Sequence, residues 1–358
     1  MAGFWNSITV VEKGFFRTIS FSSLLLLLAG FSSSARAERI ESFPVATKGR
    51  LACTAYLHFP DGPLPGPFPL LLDQDGTGLY TTSIPFGAKT PDDPGAPGYL
   101  LRSAKAAVLT IDKPGIRPAP DTAAGFQIDH AIYDRHTQRD LVACVLGALR
   151  RVAERADVKA DGWILSGHSE GAQVVVRAYR ALIEKDAEFA KRVHLVSLSG
   201  LPMEPWREMI GRQLENRPKA RVKFWQAYAR RDDAALFRLG PVGSEYWRDV
   251  FSTTPLVTDL RDLAKREVKA GFAIFQGTRD KKVSSASVTK FEEWNRRSAS
   301  AGKPALKLSA HYYPAGHGLN FAAENDRYLA FANTFADEAV TKAMDRAPAS
   351  AMAAVPAD

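Results

Sequence analysis

The chain has 358 residues, 46% of them hydrophobic and 24% charged, with a formal net charge of +8 at pH 7. That balance excludes a disordered or collagen-like chain and supplies enough apolar material for one large globular domain or two smaller ones. Lys and Arg are dispersed along the chain without a basic block, which is the pattern of a solvated basic surface and excludes an obvious nucleic-acid footprint.

Residues 1–37 read as a secretory leader. Lys13 and Arg17 precede an apolar run over residues 21–31, and Ala35-Arg36-Ala37 supplies an A-x-A cleavage site. The run is shorter than the roughly 20 residues a membrane span needs, so no stable anchor is expected after cleavage following Ala37. Loss of Lys13, Arg17, Arg36 and Glu12 leaves a basic mature chain, expected in the periplasm or outside the cell. The two cysteines, Cys53 and Cys144, fall on a predicted strand and on the apolar face of a predicted helix. An oxidising compartment permits them to pair, but two buried free thiols are the expectation.

From about residue 50, strand-like and helix-like runs alternate, the sign of a mainly parallel sheet covered by helices. Residues 51–59 suit an early antiparallel strand, followed by strands over 68–72, 106–111, 163–166, 193–198, 272–275 and 306–312. Helical spacing of apolar residues marks 139–156 (Leu141, Val142, Val145, Leu146, Leu149, Val152) and 172–187 (Val175, Ala178, Tyr179, Leu182). Two more amphipathic stretches lie near 285–298 and 322–344. Residues 201–270 break the alternation with helical pieces near 206–214, 220–231 and 244–251 and no convincing strand. They read as a helical cap between core segments 38–200 and 271–345, with a disordered tail over 346–358. The cap's aromatics (Trp206, Phe224, Trp225, Tyr228, Phe237, Tyr246 and Trp247) suit a plain core better than a pocket lining. The connection 113–136 is rich in Pro, Gly and Asp, and its length suits the rim of a site.

Gly167-His168-Ser169-Glu170-Gly171 follows a predicted strand and opens a predicted helix, as a nucleophile elbow does. Chance alone would put a G-x-S-x-G in about one chain in eight of this length, so its surroundings decide. A serine hydroxyl needs a base to take its proton and a carboxylate to orient that base. Asp280 lies on the loop after the strand 272–275, and His317 on the loop after 306–312, both at the sheet edge where open parallel sheets gather functional groups. Asp259 and Asp262 are weaker substitutes for Asp280, and His311 is a weaker rival of His317 because it falls inside a strand. His168 reads as a packed neighbour of the elbow. His130, His136, Asp129 and Asp134 lack compact ligand spacing, so no metal and no cofactor is expected.

With Ser169, Asp280 and His317 in that chain order, residues 51–344 resemble the α/β-hydrolase superfamily. The resemblance implies a mostly parallel sheet flanked by helices, with a helical cap inserted before the strand leading to the catalytic acid. By the same resemblance Gln74-Asp75-Gly76-Thr77-Gly78 is the oxyanion loop, with the Thr77 amide as one donor and the Glu170 amide as the other; Asp75 stands where relatives often carry His. Asp112-Lys113-Pro114-Gly115 resembles a structural turn and is given no chemical role. The implied activity is serine hydrolysis of a small-molecule ester, with no nucleic-acid partner. An aminopeptidase-like amide hydrolase, using Glu170, Glu204 or Glu215 for a substrate amine, is the second reading, and a non-catalytic binding protein on the same fold is the third.

Overall fold

In the computed structural model, residues 39–345 are described, except 48–49, 61–65, 80, 83–105, 120–121, 123–124, 241, 267 and 320. The expected leader and tail lie outside the described residues. Strands β1 (Arg39–Val45), β2 (Cys53–Phe59), β3 (Leu70–Gln74) and β4 (Ala107–Ile111) come first. A short hairpin follows, β5 (Ile116–Pro118) with β6 (Phe126–Ile128), then helices α1 (His130–Tyr133) and α2 (Gln138–Ala153). Next come β7 (Trp163–His168), α3 (Glu170–Lys185), α4 (Ala187–Ala190) and β8 (Val193–Ser199). Among the described residues, five helices separate β8 from the next strand: α5 (Trp206–Gln213), α6 (Pro218–Arg230), α7 (Asp233–Leu239), α8 (Ser244–Ser252) and α9 (Leu256–Lys265). The chain then forms β9 (Gly271–Gly277), α10 (Ser285–Ser300), β10 (Leu308–Tyr313) and α11 (Phe321–Asp345).

Among the described residues, eight strands make one sheet in the order β1-β2-β4-β3-β7-β8-β9-β10. Only β2 is antiparallel to its neighbours β1 and β4; the pairs from β4 through β10 are parallel. Parallel strands buried on both faces need continuous apolar runs, and Leu70, Leu71, Leu72, Val108, Leu109, Ile164 and Leu165 are all fully buried. Burying each such side chain contributes about 1.5–3 kcal/mol. Helix α2 begins with a capping box, the Thr137 hydroxyl accepting from the Asp140 amide while the Asp140 carboxylate accepts from the Thr137 amide.

Strand β1 is absent from the sequence reading, because at the sheet edge only its last residue, Val45, is buried and the others are exposed or half-buried. The cysteine expectation is corrected: Cys53 and Cys144 form a disulfide. Packing of α2 beside β2 brings their Cα atoms to 6.2 Å, inside the range a disulfide spans. Among residues 201–270, the aromatics Trp206, Phe224, Tyr246 and Trp247 are buried in a cluster of their own. Leu256, Leu260 and Leu263 of α9 instead join the core that the sheet shares with its covering helices, so the last of the five helices packs against α3 and not with the aromatic cluster.

Candidate active site

Strand β7 ends in the elbow, and the turn there forces an unusual backbone. Ser169 sits at φ 55° and ψ −119°, a left-handed region that costs a non-glycine residue energy and that clusters at functional turns. Neighbouring chains crowd it. A Cβ on Gly167 would lie 2.5 Å from the Gly171 carbonyl oxygen, and a Cβ on Gly171 would collide with the Gln74 carbonyl oxygen. The two glycines therefore let α3 begin directly against the end of β3.

The structure brings Ser169, His317 and Asp280 together from three loops. His317 Nε2 lies 3.0 Å from Ser169 Oγ, and His317 Nδ1 lies 2.7 Å from Asp280 Oδ2. The other carboxylate oxygen, Oδ1, accepts from the amides of Lys282 at 2.8 Å and Val283 at 3.1 Å. Burial pushes the Asp280 pKa up, but the bonds from His317 and from these amides outweigh it and hold the carboxyl below its ordinary value. Gln276, fully buried on β9, donates to Asp280 Oδ2 at 3.4 Å and accepts from the Leu201 amide at 3.1 Å. It braces the carboxylate against the start of the five-helix segment, and nothing in its local sequence marked it.

The weaker candidates lie elsewhere. Asp259 is buried and takes Arg177 at 3.0 Å and Arg180 at 2.7 Å, while Asp262 pairs with Lys265. His311 is exposed on β10, stacked on Phe275. Asp129 caps α1, His130 lies beside Asp134, and His136 is buried against the Tyr133 carbonyl.

His168 packs beside the site, its ring centroid 4.9 Å from that of His317 and its Nδ1 3.1 Å from Ser199 Oγ. Burial disfavours its charged form; Asp75 opposes that effect, His317 adds to it, and the pKa falls from 6.5 to about 4. The unfolded chain therefore binds a proton at His168 that the native chain refuses, and stability is lost as pH falls from 6.5 towards 4. Denaturant unfolding should show a His168→Gln variant losing about 3 kcal/mol less than the parent over that interval. Equal losses would contradict a neutral, half-buried His168 in the native chain.

The loop after β3 meets the elbow directly, since a Cβ on Gly76 would lie 2.8 Å from Ser169 Cβ and 3.4 Å from its Oγ. Asp75 Oδ1 accepts from the Gly76 amide at 2.6 Å. Thr77 is exposed, and its side chain lies beside the buried Tyr246 of α8. Glu170 heads α3, where the first amides of a helix have no acceptor within it, while its side chain is buried. Tyr246 donates to Glu170 Oε1, and Lys113 Nζ lies 3.5 Å from Glu170 Oε2. Burial and the Glu170 charge raise the Tyr246 pKa far above its ordinary value, so the phenol remains a donor.

Below the elbow, Arg327 of α11 is buried, donates to Ser166 Oγ at 2.9 Å and pairs with Glu324. It ties the helix that follows the His317 loop to strand β7. Asp73 shares this pocket, and burial lifts its pKa to about 6 against the opposing pull of Arg327 and Ser166.

No protein-family model matches the sequence, and no curated protein matches it. Solved structures do. An esterase of Pyrococcus furiosus is 11% identical, with 84% of this chain and 91% of that one covered at a TM-score of 0.51. A fungal esterase from Rhizomucor miehei is 14% identical, with 90% and 94% covered at 0.50. Strand order, elbow and these likenesses agree that the chain is an α/β-hydrolase-fold protein.

Proposed function

We propose that this chain is a secreted or periplasmic serine hydrolase of carboxylic esters. The observation that carries the reading is the continuous relay from Ser169 Oγ to His317 to Asp280, gathered from the carboxyl ends of β7, β10 and β9. Ser169 Oγ attacks the ester carbonyl carbon as its proton passes to His317 Nε2. The carbonyl π electrons move onto oxygen, where the amides of Thr77 and Glu170 stabilise the negative charge. Collapse of the tetrahedral intermediate breaks the bond to the alkoxy group, and His317 returns the proton to the departing alcohol. Water, deprotonated by His317, then attacks the acyl-enzyme and releases the acid and Ser169. Asp280 holds the His317 tautomer that leaves Nε2 free to accept.

The aminopeptidase-like reading has less support. Glu170 is shut in by Lys113 and Tyr246, and Glu204 is engaged by Arg212 and by Ser287 at 2.9 Å. Two of the three carboxylates considered for a substrate amine are thus already committed. Secretion is supported by the leader pattern and by the Cys53–Cys144 disulfide, which suits an oxidising compartment. Turnover of short and long p-nitrophenyl esters beside aminoacyl anilides tests the substrate class. Faster ester cleavage is expected, and faster anilide cleavage would reverse the ranking.

A further inference from the structure

We propose that Lys113 is a positioning residue that aims the Thr77 amide, and that Tyr246 makes this arrangement depend on the docking of the five-helix segment. The inference rests on the reading of Ser169 as an acyl-transfer nucleophile with Thr77 and Glu170 as oxyanion donors.

The Lys113 side chain is 3% exposed and its ammonium donates to two carbonyls, Gly76 at 2.7 Å and Gly78 at 3.1 Å. The Gly76 carbonyl and the Thr77 N–H belong to the same peptide unit. In a trans peptide these two groups point in opposite directions, so a cation that holds the oxygen also fixes where the N–H points. A charged donor on the carbonyl additionally polarises the amide and strengthens it as a donor. Gly76 abuts Ser169, so this peptide stands next to the attacking oxygen. The residue before Lys113 reinforces the same loop. Asp112, buried at the end of β4, accepts from the Thr81 hydroxyl at 2.8 Å and the Thr82 amide at 2.5 Å.

A buried lysine needs a counter-charge, and here it is Glu170, the residue whose own amide is the second donor. One ion pair therefore joins the two segments that must converge on a single oxygen. Tyr246 donates to Glu170 and lies beside the Thr77 side chain, so it touches both segments. Tyr246 is fully buried and belongs to the aromatic cluster of residues 201–270. Helix α8 is thereby coupled to the oxyanion loop, and a shift of the segment would loosen Glu170 and Thr77 together.

The test compares the parent with Tyr246→Phe and with the charge-neutral double variant Lys113→Met/Glu170→Gln, which leaves no unpaired buried charge. Turnover of p-nitrophenyl acetate gives kcat and KM, a phenylboronic acid gives affinity for a tetrahedral adduct on Ser169, and thermal unfolding checks the fold. The double variant should lose about 100-fold in kcat, with KM changed by less than about threefold and boronate affinity falling in parallel. Tyr246→Phe should show the same pattern at about tenfold. If the double variant fails to fold, Tyr246→Phe decides alone, because it removes a single hydroxyl. Folded variants with parental kcat and boronate affinity would overturn the inference. A parent that neither turns over ester nor binds boronate would instead overturn the reading of Ser169, and this inference with it.

Discussion

Exchanging Asp280 for Asn is expected to lower ester turnover about 10⁴-fold while leaving the fold intact. The size of the effect follows from which atom the amide must place where. Oδ1 of Asp280 accepts from two backbone amides, Lys282 and Val283, so the asparagine oxygen is fixed at that position. Its NH₂ group then faces His317 Nδ1, where an acceptor is required. His317 answers by carrying its proton on Nε2, which can no longer take the proton of Ser169. Gln276, which donates to the same carboxylate oxygen in the parent, would meet a second donor and add to the loss. Steady-state kinetics with a p-nitrophenyl ester, alongside a thermal melt, checks this. A near-parental rate in a folded Asp280→Asn variant would place the orienting role on another residue.

Removing the disulfide should have the largest effect on stability. Cys53 and Cys144 are separated by 91 positions, and tying a loop of that length restricts the unfolded chain by about 4–5 kcal/mol on the chain-entropy account. The bond also joins β2, the antiparallel strand near the sheet edge, to α2, whose capping-box Asp140 accepts from the Leu51 amide at 3.3 Å just before β2. A Cys53→Ala/Cys144→Ala variant, or the parent under reductant, should unfold at lower denaturant concentration by that margin. Indistinguishable unfolding curves would contradict a structural disulfide.

Much of this candidate site is legible in the sequence because its signals are local. Ser169 announces itself by glycines two residues either side, and the crowding of Gly167 and Gly171 explains that spacing. Asp280 and His317 each follow an apolar run, and parallel strand order delivers the ends of such runs to one edge. What escaped depends on contacts distant in the chain. The partnership of Cys53 with Cys144 arises from the docking of α2 on β2, which no spacing encodes. Lys113 looks like part of a turn until the sheet sets β4 beside β3 and places its ammonium between the Gly76 and Gly78 carbonyls. Tyr246 reads as one aromatic among several on its segment, and only its hydroxyl, meeting Glu170 across the fold, separates it from Trp247. Strand β1 was missed for a different reason: as an edge strand it buries little and shows no apolar run.

The central claim is that Ser169 is an activated nucleophile. Incubation of the purified protein with a fluorophosphonate probe, followed by peptide mapping, tests it most directly. The account predicts one covalent adduct, on Ser169, formed by native protein and absent from Ser169→Ala and from heat-unfolded parent. A folded parent that resists the probe, or an adduct that persists in Ser169→Ala, would contradict it.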